Sequence, residues 1–254
     1  FHSLTRRPVS KPSFLAAAVL AFSVSPCFAQ AAEGVPSTFN INTLFVILSA
    51  ILVMWMAAGF AMLEAGFVRA QGVINQCAKN IGLFSITSVA FLLCGYGFLF
   101  PQDWIVPGIM GQPASVNIGG VAESSEGFDK QGHAGAAIVL FQMMFAATAV
   151  SIVAGALAER MKLVPFFIFA VVLGALIYPI QASWAWGGGI LATNFGFSDL
   201  AGSTVVHAVG GMAALTGSLV LGARAGRYRN GVKVPMTSFN LPIATLGTLI
   251  LWVG

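Results

Sequence analysis

Six apolar runs, each near the length of a membrane-crossing helix, constrain this chain more than any other feature. They cover about residues 43–67, 81–100, 134–158, 163–184 and 202–223, with a sixth starting near Phe239. A bilayer core of about 30 Å takes about 20 residues of helix. No soluble domain of this size hides a composition that is 57% hydrophobic and only 8% charged. The reading is an all-α polytopic membrane protein. The sixth run, LPIATLGTLILWVG, stops at Gly254 with no polar cap, so the chain reads as cut within a helix.

Ahead of the first run, residues 1–29 read as a secretory signal peptide. Arg6, Arg7 and Lys11 form its positive end, Phe14 to Val24 its short apolar core, and small residues near Ala29 and Ala31 its cleavage site. Residues 30–254 then form the mature membrane domain. Loop charge orients the spans. Alternate loops carry Arg69, Lys79, Arg160, Lys162, Arg224, Arg227, Arg229 and Lys233, whereas the others carry only Lys130 among Asp103, Glu123, Glu126 and Asp129. Eight basic residues against one is a positive-inside asymmetry. It places the mature N-terminus outside the cell, as a signal peptide requires.

The stretch DLAGSTVVHAVGGMAAL (199–215) puts a carboxylate at the outer mouth of the fifth run and an imidazole within it. At 1.5 Å per residue, His207 is expected about 12 Å deeper than Asp199. Ionisable groups in a membrane span are costly and commonly line a path for something polar. In the third run, Phe141 and Phe145 lie one helical turn apart, so their rings should stack along one face. Such a pair is either core packing or a hydrophobic constriction on an aqueous path. SWAWGGG (183–189) offers Trp184 and Trp186 as interfacial anchors, or as a vestibule wall where the glycines let backbones approach. Glu64, late in the first run, needs a partner, and Arg69 is the nearby cation. Glu159 should neutralise local cations or cap a helix. Glycines near 155, 210, 211 and 217 suit close helix packing and hence a narrow conduit for a small solute.

Other chemistries find no residues. Cys27, Cys77 and Cys94 form neither a CxxC pair nor a disulfide framework, and three His make no metal cluster. There is no nucleophile–base pair, phosphate loop or carboxylate dyad, so the chain does not read as an enzyme and no cofactor or metal is expected. The net charge of +4 comes without any basic tract interleaved with aromatics, which argues against nucleic acid. No TVGYG-like filter for potassium occurs.

Four segments in order resemble the ammonium transporter family, which includes the methylammonium permeases and Rhesus proteins. They are GFAMLEAGFVRAQGVINQCAKN (59–80), FQMMFAATAVSIVAGALAER (141–160), WAWGGGILA (184–192) and DLAGSTVVHAVGGMAAL (199–215). Leu200 departs from the family's usual aromatic, which predicts a local packing change. Gln71 and Gly72 replace a more typical Lys–Asn pair. The resemblance implies an ammonium-transporter-like helical bundle with an inverted five-plus-five repeat, of which this chain holds the first repeat and the start of the sixth helix. It further implies a homotrimer in the bacterial inner membrane that takes ammonium or methylammonium, and a PII-type nitrogen regulatory protein at the cytoplasmic face. By the same resemblance, Trp186, Phe145 and Asp199 serve substrate recruitment, Phe145 and Phe141 form the gate region, and His207 is one of two pore imidazoles. An ammonium sensor-transducer on this scaffold and a Rhesus-like channel for ammonia or carbon dioxide are the alternatives.

Overall fold

The computed structural model describes residues 37–116 and 132–254. The signal-peptide segment 1–29, with Cys27, and the loop charges Glu123, Glu126, Asp129 and Lys130 lie outside the described residues. Helix α1 runs unbroken over Ser37–Phe67. After a single 3-10 turn, α2 (Val73–Ala90) continues through a π-helical stretch, Phe91–Gly95, into α3 (Tyr96–Leu99). A short antiparallel hairpin follows, β1 (Trp104–Val106) with β2 (Met110–Gly111). Next come α4 (Gly135–Ala156) and α5 (Leu163–Val172), the latter passing through a second π-helical stretch, Leu173–Ile177, into α6 (Tyr178–Trp186). The chain continues with α7 (Ile190–Phe195), α8 (Val205–Leu221), a two-residue pair of strands β3 (Tyr228–Arg229) and β4 (Val232–Lys233), and α9 (Leu241–Val253).

Among the described residues, four helical segments are long and apolar enough to cross a bilayer: Thr38–Phe67, Ala70–Leu99, Gly135–Ala156 and Leu163–Phe195. The apolar helices α8 and α9 are shorter, at 17 and 13 residues. This is a polytopic helical membrane fold. α4 is its axis, packing against α2 on one side and α8 on the other. Phe145, Val150 and Val153 of α4 meet Leu83, Phe166, Leu173, Val205 and Val209 in one buried cluster. The two π-helical stretches face each other, and the Cys94 thiol reaches the Ala175 carbonyl at 3.8 Å. Gly95 is required there, because a Cβ would lie 2.7 Å from the Phe91 ring and 3.3 Å from the Ala175 backbone.

The second helical segment begins well before Ile81, and the reason is polar pairing. Gln76, Lys79 and Asn80 are buried within α2 because each finds a partner there. Lys79 is therefore not a loop cation. Its ammonium donates to the Leu157 carbonyl at 3.3 Å and sits 4.9 Å from the Phe166 ring centroid. Glu64 does not pair with Arg69 either. Its Oε2 accepts from Gln76 Nε2 at 2.6 Å and from Asn80 Nδ2 at 2.5 Å. Small residues decide the helix contacts, though not every glycine counted in the sequence takes part. A Cβ on Gly210 would lie 2.8 Å from Ile152, and one on Gly217 would lie 2.8 Å from Leu157, whereas Gly211 faces open space. On the other flank, Gly59 and Gly66 of α1 bring its backbone against Gly247 and Ala244 of α9.

Candidate functional site

The site grows from the irregular stretch between α7 and α8. Asp199 is buried, and its carboxylate organises the turn that follows it. Oδ1 accepts from Gly202 N at 2.9 Å and Ser203 Oγ at 3.5 Å, while Oδ2 accepts from Thr204 N at 2.9 Å and Val205 N at 2.8 Å. These backbone donors are among those a helix start leaves unpaired, so one carboxylate caps α8 from five and six residues upstream. Burial opposes the charge, but the N–H groups of Val205, Thr204 and Gly202 outweigh it and hold the Asp199 carboxyl below its usual pKa.

This turn also corrects the depth expected for His207. Gly202 takes φ +76°, so the backbone is not helical until Val205. His207 is the third residue of α8 and lies in its first turn, so a continuous helical rise from Asp199 does not apply. Its Nδ1 lies 3.2 Å from the Gly202 carbonyl. A carbonyl oxygen only accepts, so in the neutral ring this contact puts the proton on Nδ1 and leaves the lone pair on Nε2. The imidazole is exposed on the side of α8 that also shows Gly211, Met212 and Leu215, away from the buried Val205, Val206 and Val209.

Above this turn stands an aromatic column. Trp186 ends α6, and its Nε1 donates to the Asp199 carbonyl at 2.6 Å. Its ring stacks on Phe145, with centroids 5.8 Å apart and planes 22° apart. Phe141 lies one turn along α4, with centroids 4.4 Å apart, but the planes are inclined by 49°. The two phenylalanines are thus tilted rather than stacked in parallel, a favourable aromatic geometry in its own right. The glycines after Trp186 serve close approach. A Cβ on Gly187 would collide with the Leu99 carbonyl, and Gly188 takes φ +76°. Trp184 turns the other way, donating to Ile109 O of the β1–β2 hairpin at 2.7 Å. Trp184 is thus tied to the hairpin and Trp186 to the column.

Leu200 is 96% exposed. The packing change predicted from its departure from an aromatic is therefore not seen among the described residues. Two polar centres lie toward the other end of α4. Glu159 is half-buried, with its side chain only 6% exposed, and takes φ +58°. Its carboxylate pairs with Arg69 Nε at 2.8 Å and Arg224 Nη1 at 3.4 Å. Sequence reasoning gave Glu159 a neutralising role but not these partners, since they come from loops 90 and 65 residues away. Glu64 borders a cavity of about 350 Å³ with Phe60, Leu63, Ile152, Gly155 and Arg224. No group of His, Cys, Asp and Glu suited to a metal ion occurs among the described residues.

Known proteins carry the same arrangement of chain. Residues 44–254 match the profile of the Ammonium Transporter Family. Ammonium transporter Amt2 of Archaeoglobus fulgidus is 38% identical over 224 residues, covering 84% of this chain and 46% of that protein. Ammonium transporter Amt1 of Methanocaldococcus jannaschii is 36% identical over 215 residues, covering 85% and 50%. Among solved structures, a Sensor Amt Protein superposes with a TM-score of 0.74 at 33% identity, over 85% of this chain and 53% of that one. Saccharomyces cerevisiae Mep2, at 23% identity and a TM-score of 0.72, shares the fold over 87% and 49%. The chain spans about half the length of the curated relatives it matches. On the profile match and these identities, the chain belongs to the Ammonium Transporter Family, a family of transporters rather than enzymes.

Proposed function

We propose that this chain supplies the first repeat, and the start of the second, of an ammonium transporter. Trp186, Phe145 and Asp199 recruit the cation, Phe145 and Phe141 form the gate region, and His207 lines the pore. One observation carries the reading. Phe141, Phe145, Trp186, Asp199, Gly202 and His207 form an unbroken series of contacts, each ring or hydrogen bond leading to the next. Aromatic faces attract a cation by about 0.5–2 kcal/mol. A buried carboxylate kept ionised by backbone donors adds a negative potential beneath them, without presenting a free oxygen for the cation to stick to. Carrying ammonium intact through an apolar passage costs many kcal/mol of desolvation, whereas neutral ammonia crosses far more cheaply. The cation therefore passes its proton to solvent water near the phenylalanines, giving hydronium and neutral ammonia, and the ammonia passes along His207, whose Nε2 lone pair can accept an N–H. The mature N-terminus faces outside, residues 1–29 are removed as a signal peptide, and the protein works as a homotrimer in the bacterial inner membrane. A PII-type protein docks at the basic face.

The test is methylammonium uptake by the intact protein in cells lacking other ammonium transporters. His207→Ala is expected to reduce uptake at least about tenfold, with the protein still folded and inserted. Unchanged uptake and selectivity would remove His207 from the path. A second reading has its own support in the likeness to a Sensor Amt Protein. On that reading the same column binds ammonium to signal. Uptake at background level, together with a ligand-dependent output from a soluble domain of the intact protein, would favour it.

A further inference from the structure

The basic end of the fold contains a cavity that the transport path does not use. It measures about 340 Å³ and is lined by Arg160, Ala223, Arg224, Arg227, Tyr228 and Met236. Three guanidiniums thus border one space, where the end of α4 meets the connection from α8 to α9. Among the described residues their charges meet few acids. From Glu159 to Gly254 the sequence holds only two carboxylates, Glu159 and Asp199, and Asp199 is committed to the start of α8. Glu159 is shared between Arg69 and Arg224. Arg160 and Arg227 have backbone acceptors instead, Gly222 O at 2.9 Å and Val234 O at 2.9 Å.

The bonding leaves donors over. Among the described residues Arg160 Nε is buried without an acceptor, and a buried guanidinium donor left unpaired is costly. Burial lowers the Arg224 pKa. Glu159 opposes that shift, while the like charges of Arg160 and Arg69 add to it. The unpaired Arg160 donor and the clustering of three guanidiniums around one cavity make it a place that an anion would suit. Guanidinium forks match the oxygens of phosphate in a bidentate manner that a lone ammonium cannot, and the Tyr228 hydroxyl supplies a further donor on the same wall. Basic pockets at the ends of membrane helices suit phosphate-bearing headgroups.

We propose that the cavity bordered by Arg160, Arg224 and Arg227 binds a phosphate group, carried either by an anionic phospholipid headgroup or by a soluble phosphate. The bound oxygens take the free Arg160 donor and bridge Arg160 to Arg227. This fastens the α8–α9 connection to the end of α4. The assignment does not depend on which way ammonium passes through the column, since none of its residues belongs to it.

The experiment uses the intact protein in detergent. Native mass spectrometry is run with phosphatidylglycerol or phosphatidylcholine, and thermal unfolding with inorganic phosphate or chloride at matched ionic strength. Preferential retention of phosphatidylglycerol with no phosphate effect assigns the site to a headgroup. Stabilisation by inorganic phosphate assigns it to a soluble ligand. Either preference should weaken about tenfold in Arg227→Gln, the loss of one charge-assisted contact, and persist in Arg229→Gln, which leaves the three lining guanidiniums in place. Equal binding of the two lipids with no phosphate effect overturns the proposal. So does a preference that Arg227→Gln leaves intact. Arg160→Gln also removes the bond to Gly222 and Arg227→Gln the bond to Val234, so the ligand-free unfolding of each variant is measured first, and the ligand preference of Arg227→Gln, compared with its own ligand-free baseline, decides.

Discussion

At the residue scale, Asp199 concentrates most of the chemistry. Both oxygens are engaged by backbone N–H groups, so Asp199→Asn keeps one acceptor oxygen and turns an NH₂ toward N–H donors. Stranding even one buried N–H costs about 1–3 kcal/mol, more than the usual near-equivalence of Asp and Asn as caps. The loss should appear as a lower Tm in detergent. Its pH dependence has a definite sign. The folded carboxyl lies below its ordinary value, so its contribution is fully present above the unfolded value of about 3.9. It is lost as pH falls through the lower folded value. Wild type and Asp199→Asn should therefore differ in Tm at neutral pH and converge under acid. A constant gap down to low pH would mean that the carboxylate charge is not what holds the turn.

Elements here are shaped by where glycine and polar side chains allow a helix to begin, bend or stop. The fifth apolar run looks continuous from Gly202, but α8 starts at Val205 because Gly202 is at φ +76°. A Cβ at that position would lie 2.5 Å from Val206 Cγ2 and 3.1 Å from Trp186 Cη2. Gly202→Ala thus combines a left-handed backbone with a clash, for a loss of more than about 1 kcal/mol. It should also push the indole off Phe145, changing the tryptophan emission, and an unchanged spectrum would argue against that column. Apolar spacing told where helices lie but not how they start. The start depends on Asp199 folding back over six residues, and the early start of α2 depends on partners from α1 and α4. Those α2 contacts are made by residues 12 to 78 positions apart, a separation local pattern does not report.

Across the whole molecule, charge does two jobs. Inside, Glu64 with Gln76 and Asn80 satisfies polar groups where lipid would not. At the basic end, Glu159 ties the α1–α2 turn to the loop after α8 through Arg69 and Arg224. The two arginines keep some solvent contact, which moderates the pairing, so Glu159→Gln is expected to cost about 1–2 kcal/mol rather than the larger loss of a fully buried pair. Limited proteolysis should cut the 222–234 connection faster in that variant, while methylammonium uptake stays measurable. Equal cutting rates would leave Glu159 a bystander in that connection. The proposed phosphate would hold the same connection from the Arg160 side.

The apolar runs alone determined a polytopic helical membrane protein, because no other solvent accepts so many unbroken apolar stretches. The order of its four segments was enough to bring out the family. What only tertiary structure decided is which polar groups meet. Trp186 reaches the Asp199 carbonyl, not its carboxylate. Glu64 turns to Gln76 and Asn80, leaving Arg69 to Glu159, and Lys79 is drawn out of the loop into the core. Hydrophobic patterning is additive along the chain and can be read locally. A buried hydrogen bond depends on two groups arriving at one place with the right direction, and that is settled only when the helices pack.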